Sequence, residues 1–244
     1  MSESDNKFLR LELIVGSDGL EKLRSANVAL FGIGGVGSWC AEGLIRSGIE
    51  RLTMVDSDVV CPTNINRQLH ATVRSVGKPK VNELRRRLLE INPDAEIAAR
   101  QEVYNQDTHE TFHLETFDYV LDCVDSLSSK VYLIAKAQEG GATLFSAMGA
   151  SRKLDPTLIR VGPFWDARGC PLAKHLRKRL RNRGATGDFL CVYSSEKLPN
   201  VSSGQEDEDS IETKQINGSA VHVTATFGFH LAGLVIQDIV QKTE

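Results

Sequence analysis

The chain's strongest constraint lies between residues 28 and 56. An apolar run, Val28–Phe31, leads into Gly32, Gly34, Gly35 and Gly37. A segment of helical spacing follows, Ser38–Ser47, with Trp39, Ala41, Leu44 and Ile45 on its apolar face. A second apolar run, Leu52–Val55, ends on Asp56. Strand, glycine turn, helix and strand in that order form a βαβ unit, which must belong to a parallel sheet. The first glycine of such a turn permits the tight bend, the second lets a phosphate approach the backbone, and the third lets helix and sheet pack closely. The helix N-terminus presents free N–H groups to an anion, and an acid ending the next strand reaches a ribose hydroxyl.

The alternation continues. Val76–Ile91 reads as a long helix, Glu96–Ala99 as a strand, Tyr119–Leu121 as a strand ending at Asp122, Leu127–Glu139 as a helix and Ala142–Phe145 as a strand. Residues 10–150 therefore read as a doubly wound α/β nucleotide-binding core, with a short helix at Leu20–Ser25 leading into its first strand. Residues 151–244 read as an extension on the same sheet. It has strands at Leu158–Val161 and Leu190–Tyr193, a helix at Leu172–Arg181, and a strand then an amphipathic helix from Val221. The acidic run from Ser202 to Glu212 reads as a solvated loop.

A nicotinamide dehydrogenase is the first reading of a lone glycine turn, but the residues downstream argue against it. Asp58, Asn64, Arg67, Gln68 and Lys80 follow in quick succession, and Asp125 comes just after a strand end. Two cations and a further carboxylate suit a polyphosphate and a hard divalent ion better than hydride transfer. None of the five cysteines forms a CxxC pair, which excludes a four-cysteine zinc site of the usual spacing. Cys40, Cys61, Cys123 and Cys191 read as small buried residues and Cys170 as a non-catalytic thiol. His175, His222 and His230 lack metal-ligand spacing. The N-terminal MSESDNKFLRLELI is polar, and the apolar tract Ala220–Val240 is interrupted by His222, His230, Gln237 and Asp238. Neither reads as a secretory signal or a membrane span, so the expectation is cytoplasmic.

Taken together, the GxGGVGS loop at Gly32–Ser38, the acids Asp56 and Asp58, Asn64-x-Asn66-Arg67-Gln68, GKPK at Gly77–Lys80 and DCVDS at Asp122–Ser126 resemble the ubiquitin-activating-enzyme-like adenylating superfamily (the ThiF, MoeB and HesA group). Leu154-Asp155-Pro156-Thr157, Pro171-Leu172-Ala173-Lys174, Cys191–Glu196 and Val223–Gly228 make the chain similar to the branch of tRNA threonylcarbamoyladenosine dehydratases. The resemblance implies a single adenylating domain, a Rossmann-like, mostly parallel sheet extended by antiparallel C-terminal strands. It also implies ATP and Mg²⁺ as cofactors and a tRNA carrying threonylcarbamoyladenosine as substrate. By the same resemblance Asp56 holds the ribose, and Gly32, Gly34, Gly35, Gly37, Asp58, Asn64 and Gln68 lie on the nucleotide side. Arg67 and Lys80 contact the triphosphate, Asp125 handles Mg²⁺, and Arg10 enters the site of a partner subunit in a homodimer. A sulfur-relay helper protein is a further partner on this reading. The alternative is an adenylating activator of a ubiquitin-like sulfur carrier; such enzymes usually carry paired zinc cysteines.

The net charge is only −3, so any contact with nucleic acid needs a local patch. Lys174, Arg177, Lys178, Arg179, Arg181 and Arg183 supply six cations with no acid among them, while Leu172, Leu176 and Leu180 recur every four residues and predict the core face. These six are the expected tRNA-phosphate contacts.

Overall fold

The computed structural model describes residues 6–198 and 218–242. The elements in chain order are α1 (Leu9–Ser25), β1 (Asn27–Phe31), α2 (Gly37–Arg46), β2 (Arg51–Val55), α3 (Lys80–Ile91), β3 (Glu96–Arg100), β4 (Tyr119–Asp122), α4 (Leu127–Gly140), β5 (Thr143–Ala147), β6 (Ile159–Pro163), α5 (Pro171–Asn182), β7 (Leu190–Ser194) and α6 (Val221–Gln241). The strands form one seven-stranded sheet in the order β3-β2-β1-β4-β5-β7-β6. Every pairing is parallel except that of β6 with β7. The Rossmann-like α/β fold and the extension of its sheet by the C-terminal strands are as expected from the sequence.

The strand order reverses at β1. The chain runs outward through β2 and β3, then returns to place β4 on the other side of β1. In open α/β sheets such a switch point leaves a crevice beyond the C-terminal ends of the two diverging strands. Two buried layers flank the sheet. On one face Val28 and Leu30 of β1 pack with α2, α3 and α6, through residues such as Leu44, Leu84 and Phe227. On the other, Ala29 and Phe31 pack with α4 and α5, through Ile134, Leu176 and Leu180. The period-2 alternation within β1 thus assigns each helix to its layer.

Three elements differ from their sequence reading. α1 starts at Leu9 rather than Leu20 and is broken at Gly16, whose φ of 76° is non-helical. Its first half packs Leu11 and Val15 against the core but leaves Leu13 and Ile14 exposed, so apolar residues on both faces blur its pattern. α3 starts at Lys80 rather than Val76. Pro79 disfavours helical backbone in the residue before it, and the preceding stretch is instead held by a bridge from Val59 to Pro79. Residues from Val221 onward form one helix with no strand, because Val223, Thr224 and Phe227 are buried and the helix packs closely against α2. The acidic run at 202–212 lies outside the described residues.

α6 is long and apolar enough, by length and composition, to cross a membrane, and half of its apolar window is buried inside the protein. It lies very close to α2. A Cβ added at Gly228 would stand 2.6 Å from the Val36 carbonyl oxygen and 2.8 Å from the Cys40 nitrogen, whereas one at Gly233 would meet nothing within 4 Å. Gly228→Ala is expected to cost about 1–3 kcal/mol through forced separation of the helices. Gly233→Ala should stabilise by up to about 1 kcal/mol, because alanine is the better helix former. Urea denaturation of the pair checks both signs.

Candidate active site

A cavity of about 630 Å³ opens at the switch point. Its size is within the roughly 300–1,000 Å³ usual for small-molecule sites. The turn after β1 forms its floor. Gly32 has a φ of 87°, and a Cβ there would meet the Cys123 carbonyl oxygen at 2.6 Å. A Cβ on Gly37 would lie 1.9 Å from the Gly32 carbonyl oxygen. Both glycines are steric requirements of the turn. Gly34 and Gly35 line the cavity itself.

Asp56 ends β2 and lashes this turn to it. One carboxylate oxygen accepts the Ile33 N–H at 2.6 Å and the other accepts the Asp58 N–H at 2.9 Å. Burial raises the Asp56 carboxyl pKa, and the Lys80 ammonium, 3.9 Å away, opposes that rise. Lys80 opens α3 and is itself 5% exposed, with Nζ 2.7 Å from the Asp58 carboxylate. The two carboxylates hold the Lys80 ammonium in a fixed position at the edge of the cavity.

The segment between β2 and α3 forms another wall. Asn64 is buried and its side-chain oxygen accepts the Cys61 N–H at 3.0 Å. Arg67 donates to the Thr63 carbonyl and to the Asn66 side-chain oxygen, while its own carbonyl accepts the Trp39 indole N–H at 3.0 Å. Gln68 is 5% exposed and lines the cavity, and its Oε1 has no partner among the described residues. A buried amide oxygen left unpaired costs free energy unless a bound group satisfies it. Across the cavity, Asp125 is exposed on the loop between β4 and α4.

The geometry therefore brings Gly32, Gly34, Gly35, Asp56, Asp58, Asn64, Arg67, Gln68, Lys80 and Asp125 into one cavity, with Gly37 beneath it. Arg10 is exposed on α1 and is not among the lining residues. Sequence reasoning missed Val103, Tyr104, Met148 and Thr224, which also line it. Tyr104 comes from an irregular stretch after β3, and Thr224 from α6, so no local motif announces either. It missed a second group as well. Lys130 and Asp122 are both fully buried, 2.6 Å apart, and the Ser146 hydroxyl donates to the same carboxylate oxygen at 2.6 Å. Asp122 takes the Val124 N–H on its other oxygen, which fixes the start of the loop bearing Asp125. The signal available was a lysine on the inner face of α4.

The thiols are mostly inert. Burial pushes those of Cys40 and Cys123 well up and that of Cys191 up to about 12, so all three stay protonated. Cys170 is buried against Gly149. Cys61 is exposed, contrary to the expectation of a buried residue, because it sits on an irregular turn outside both core layers. His222 hydrogen-bonds the Leu154 carbonyl oxygen at 2.7 Å.

On α5, Leu176 and Leu180 are buried as expected, and Leu172 reaches the cavity. Lys174, Lys178, Arg179, Arg181 and Arg183 are exposed. Arg177 is not: it turns inward and donates to the Ala167 carbonyl at 2.7 Å and to the Phe164 carbonyl at 3.3 Å. Its expected place among the exposed cations is corrected accordingly.

Three comparisons bear on this site. The model of the ThiF family matches residues 6–244. A tRNA threonylcarbamoyladenosine dehydratase of Bacillus subtilis is 35% identical, over 98% of this chain and 96% of that protein. Crystal structures of the Escherichia coli tRNA N6-threonylcarbamoyladenosine dehydratase in complex with AMP and with ATP match at TM-scores of 0.88 and 0.87; each is 32% identical, covering 98% of this chain and 96% of that one.

Removing one partner of a buried ion pair strands the other. Lys130→Met is expected to cost about 3–5 kcal/mol of stability. Replacing Asp122 as well, with Asn, should recover part of that loss, as measured by thermal and urea denaturation of the single and double variants.

Proposed function

This chain belongs to the ThiF family, and from that premise we propose that it is an ATP-dependent enzyme that dehydrates threonylcarbamoyladenosine at position 37 of tRNA to its cyclic form. The observation that carries the reading is the meeting of Arg67, Lys80 and Asp125 around one glycine turn, in a chain closely similar along its length to dehydratases, one of them solved with ATP. The whole chain acts as a single adenylating domain, with β6, β7 and α5 on the substrate side.

The carboxylate of the threonine moiety attacks the α-phosphorus of ATP. A carboxyl–phosphoryl bond forms, the bond to the β-phosphate bridge breaks, and pyrophosphate leaves. Anion meets anion in this step, so fixed cations must lie where charge gathers. Lys80 is held there by Asp56 and Asp58, and Arg67 by the Thr63 carbonyl. The glycine turn supplies backbone N–H groups to the phosphates. The ureido nitrogen then attacks the activated carbonyl, loses its proton and expels AMP. The nucleoside has lost one water. Ring closure is intramolecular, with effective molarities that can reach about 10⁵ M or more, so no thioester relay is required. The buried, protonated thiols fit that requirement.

Asp125 suits Mg²⁺: a single exposed carboxylate beside a polyphosphate is the usual protein share of such a site, the remaining ligands being phosphate oxygens and water. The ion would neutralise charge on the phosphates. Arg10 belongs, on this reading, to a homodimer in which it enters the partner's cavity. Its exposure on α1 beside the uncovered Leu13 and Ile14 supports that placement. The compartment is the cytoplasm. The exposed cations of α5 start beside the cavity, where Leu172 lines it, and serve the tRNA backbone.

Incubation with ATP, Mg²⁺ and tRNA bearing the modified nucleoside, followed by nucleoside mass spectrometry, should show the loss of one water; an unchanged mass defeats the proposal. Asp125→Ala should lower turnover at least about 100-fold while ATP is still bound. Replacing Lys174, Lys178 and Arg181 together with alanine should weaken tRNA binding and lower the slope of log Kd against log salt by about 2–3, with ATP affinity unchanged. Arg177→Ala should instead lower stability, because two carbonyls each lose one donor.

A further inference from the structure

The cations of α5 do two different jobs. Two guanidinium groups build the turn at residues 164–167. Arg177 donates to the Phe164 and Ala167 carbonyls, and Arg168 donates to the Trp165 carbonyl at 2.7 Å. The turn they brace presents Trp165. Its indole N–H donates to the Gly187 carbonyl at 3.1 Å, its ring meets Phe164 edge-on at 5.3 Å, and the residue is half-buried. Backbone, indole nitrogen and ring edge are thus all fixed. The exposed Arg181 guanidinium lies over this ring, 5.1 Å from its centre.

This arrangement has a position and a direction relative to the cavity. Leu172, the second residue of α5, lines the cavity. Lys174, Lys178 and Arg181 recur at spacings of four and three, so they form one stripe along the helix. At 1.5 Å per residue, Arg181 lies about 14 Å along the axis from Leu172. A strand whose modified base enters the cavity and whose phosphates follow the stripe reaches the Trp165–Arg181 stack within a few nucleotides.

We infer that Trp165 and Arg181 form a stacking platform for an unpaired base of the RNA loop that flanks the reacting nucleoside. Unstacked loop bases are recognised on aromatic rings and on guanidinium planes, and the two groups already lie together here. The platform holds the loop open and in register, while the phosphate stripe supplies affinity without regard to sequence. The inference rests on the tRNA reading above and adds to it a residue, Trp165, that no charge argument selects.

The chain has two tryptophans, so a Trp39→Phe background leaves Trp165 as the lone indole. In that background, a hairpin RNA with the anticodon stem and an intact loop should quench the indole fluorescence. Trp165→Leu should weaken hairpin binding about tenfold or more, with Trp165→Phe intermediate. Arg181→Lys, which keeps the charge and removes the plane, should also weaken it. A hairpin whose loop residues are abasic should bind the parent and Trp165→Leu equally. Equal losses on intact and abasic loops, or none on either, overturn the platform while leaving the tRNA reading standing. A parent protein that fails to bind either hairpin at low salt overturns both.

Discussion

The buried contact between Lys130 and Asp122 sits where the architecture turns. Asp122 closes β4, Lys130 belongs to α4, and Ser146, which shares the carboxylate, lies in β5. Three consecutive elements are therefore pinned at one point, next to the place where the strand order reverses. Two full charges at no solvent exposure are costly to desolvate, and the cost is offset only by the short contact and the added hydroxyl. The remaining carboxylate oxygen captures the Val124 N–H, so the cluster also sets the path of the loop that carries Asp125. On the opposite side of β1, Asp56 does the corresponding work for the glycine turn. The crevice is defined by these two acids, one at the end of each strand flanking β1.

Much of this was legible in the sequence because it is local. The glycine turn, Asp56 and the alternating elements lie within short stretches whose spacing is itself the signal. Arg67, Gln68, Lys80 and Asp125 were found because they belong to compact motifs. What was missed is non-local. Lys130 looks like any helical lysine until β4 and β5 are in place. Tyr104 sits in irregular backbone, and Thr224 arrives from a helix more than a hundred residues away in the chain. α6 departs from its sequence reading at its start, since tertiary burial of Val223 and Thr224 overrides their strand preference.

The basic helix shows the same limit in charged residues. Spacing correctly separates the leucine face from the cationic one, but it cannot tell an arginine that meets solvent from one that completes a turn. Arg177 is adjacent to the exposed Lys178 in sequence, yet it bonds the carbonyls of Phe164 and Ala167. Which cation faces which way depends on where those carbonyls lie.

The seating of α6 also bears on how the protein comes into being. Thr224 lines the cavity and Phe227 belongs to the same buried layer as β1 and α2, so the most C-terminal of the described elements completes both the core and the site. A chain emerging from the ribosome cannot assemble its nucleotide cavity early, however soon the glycine turn is synthesised. The contact that finishes it joins segments nearly two hundred residues apart, and contacts of such sequence separation form slowly. Competence arrives late and all at once, and until then an apolar groove over α2 stays open to chaperones and to aggregation.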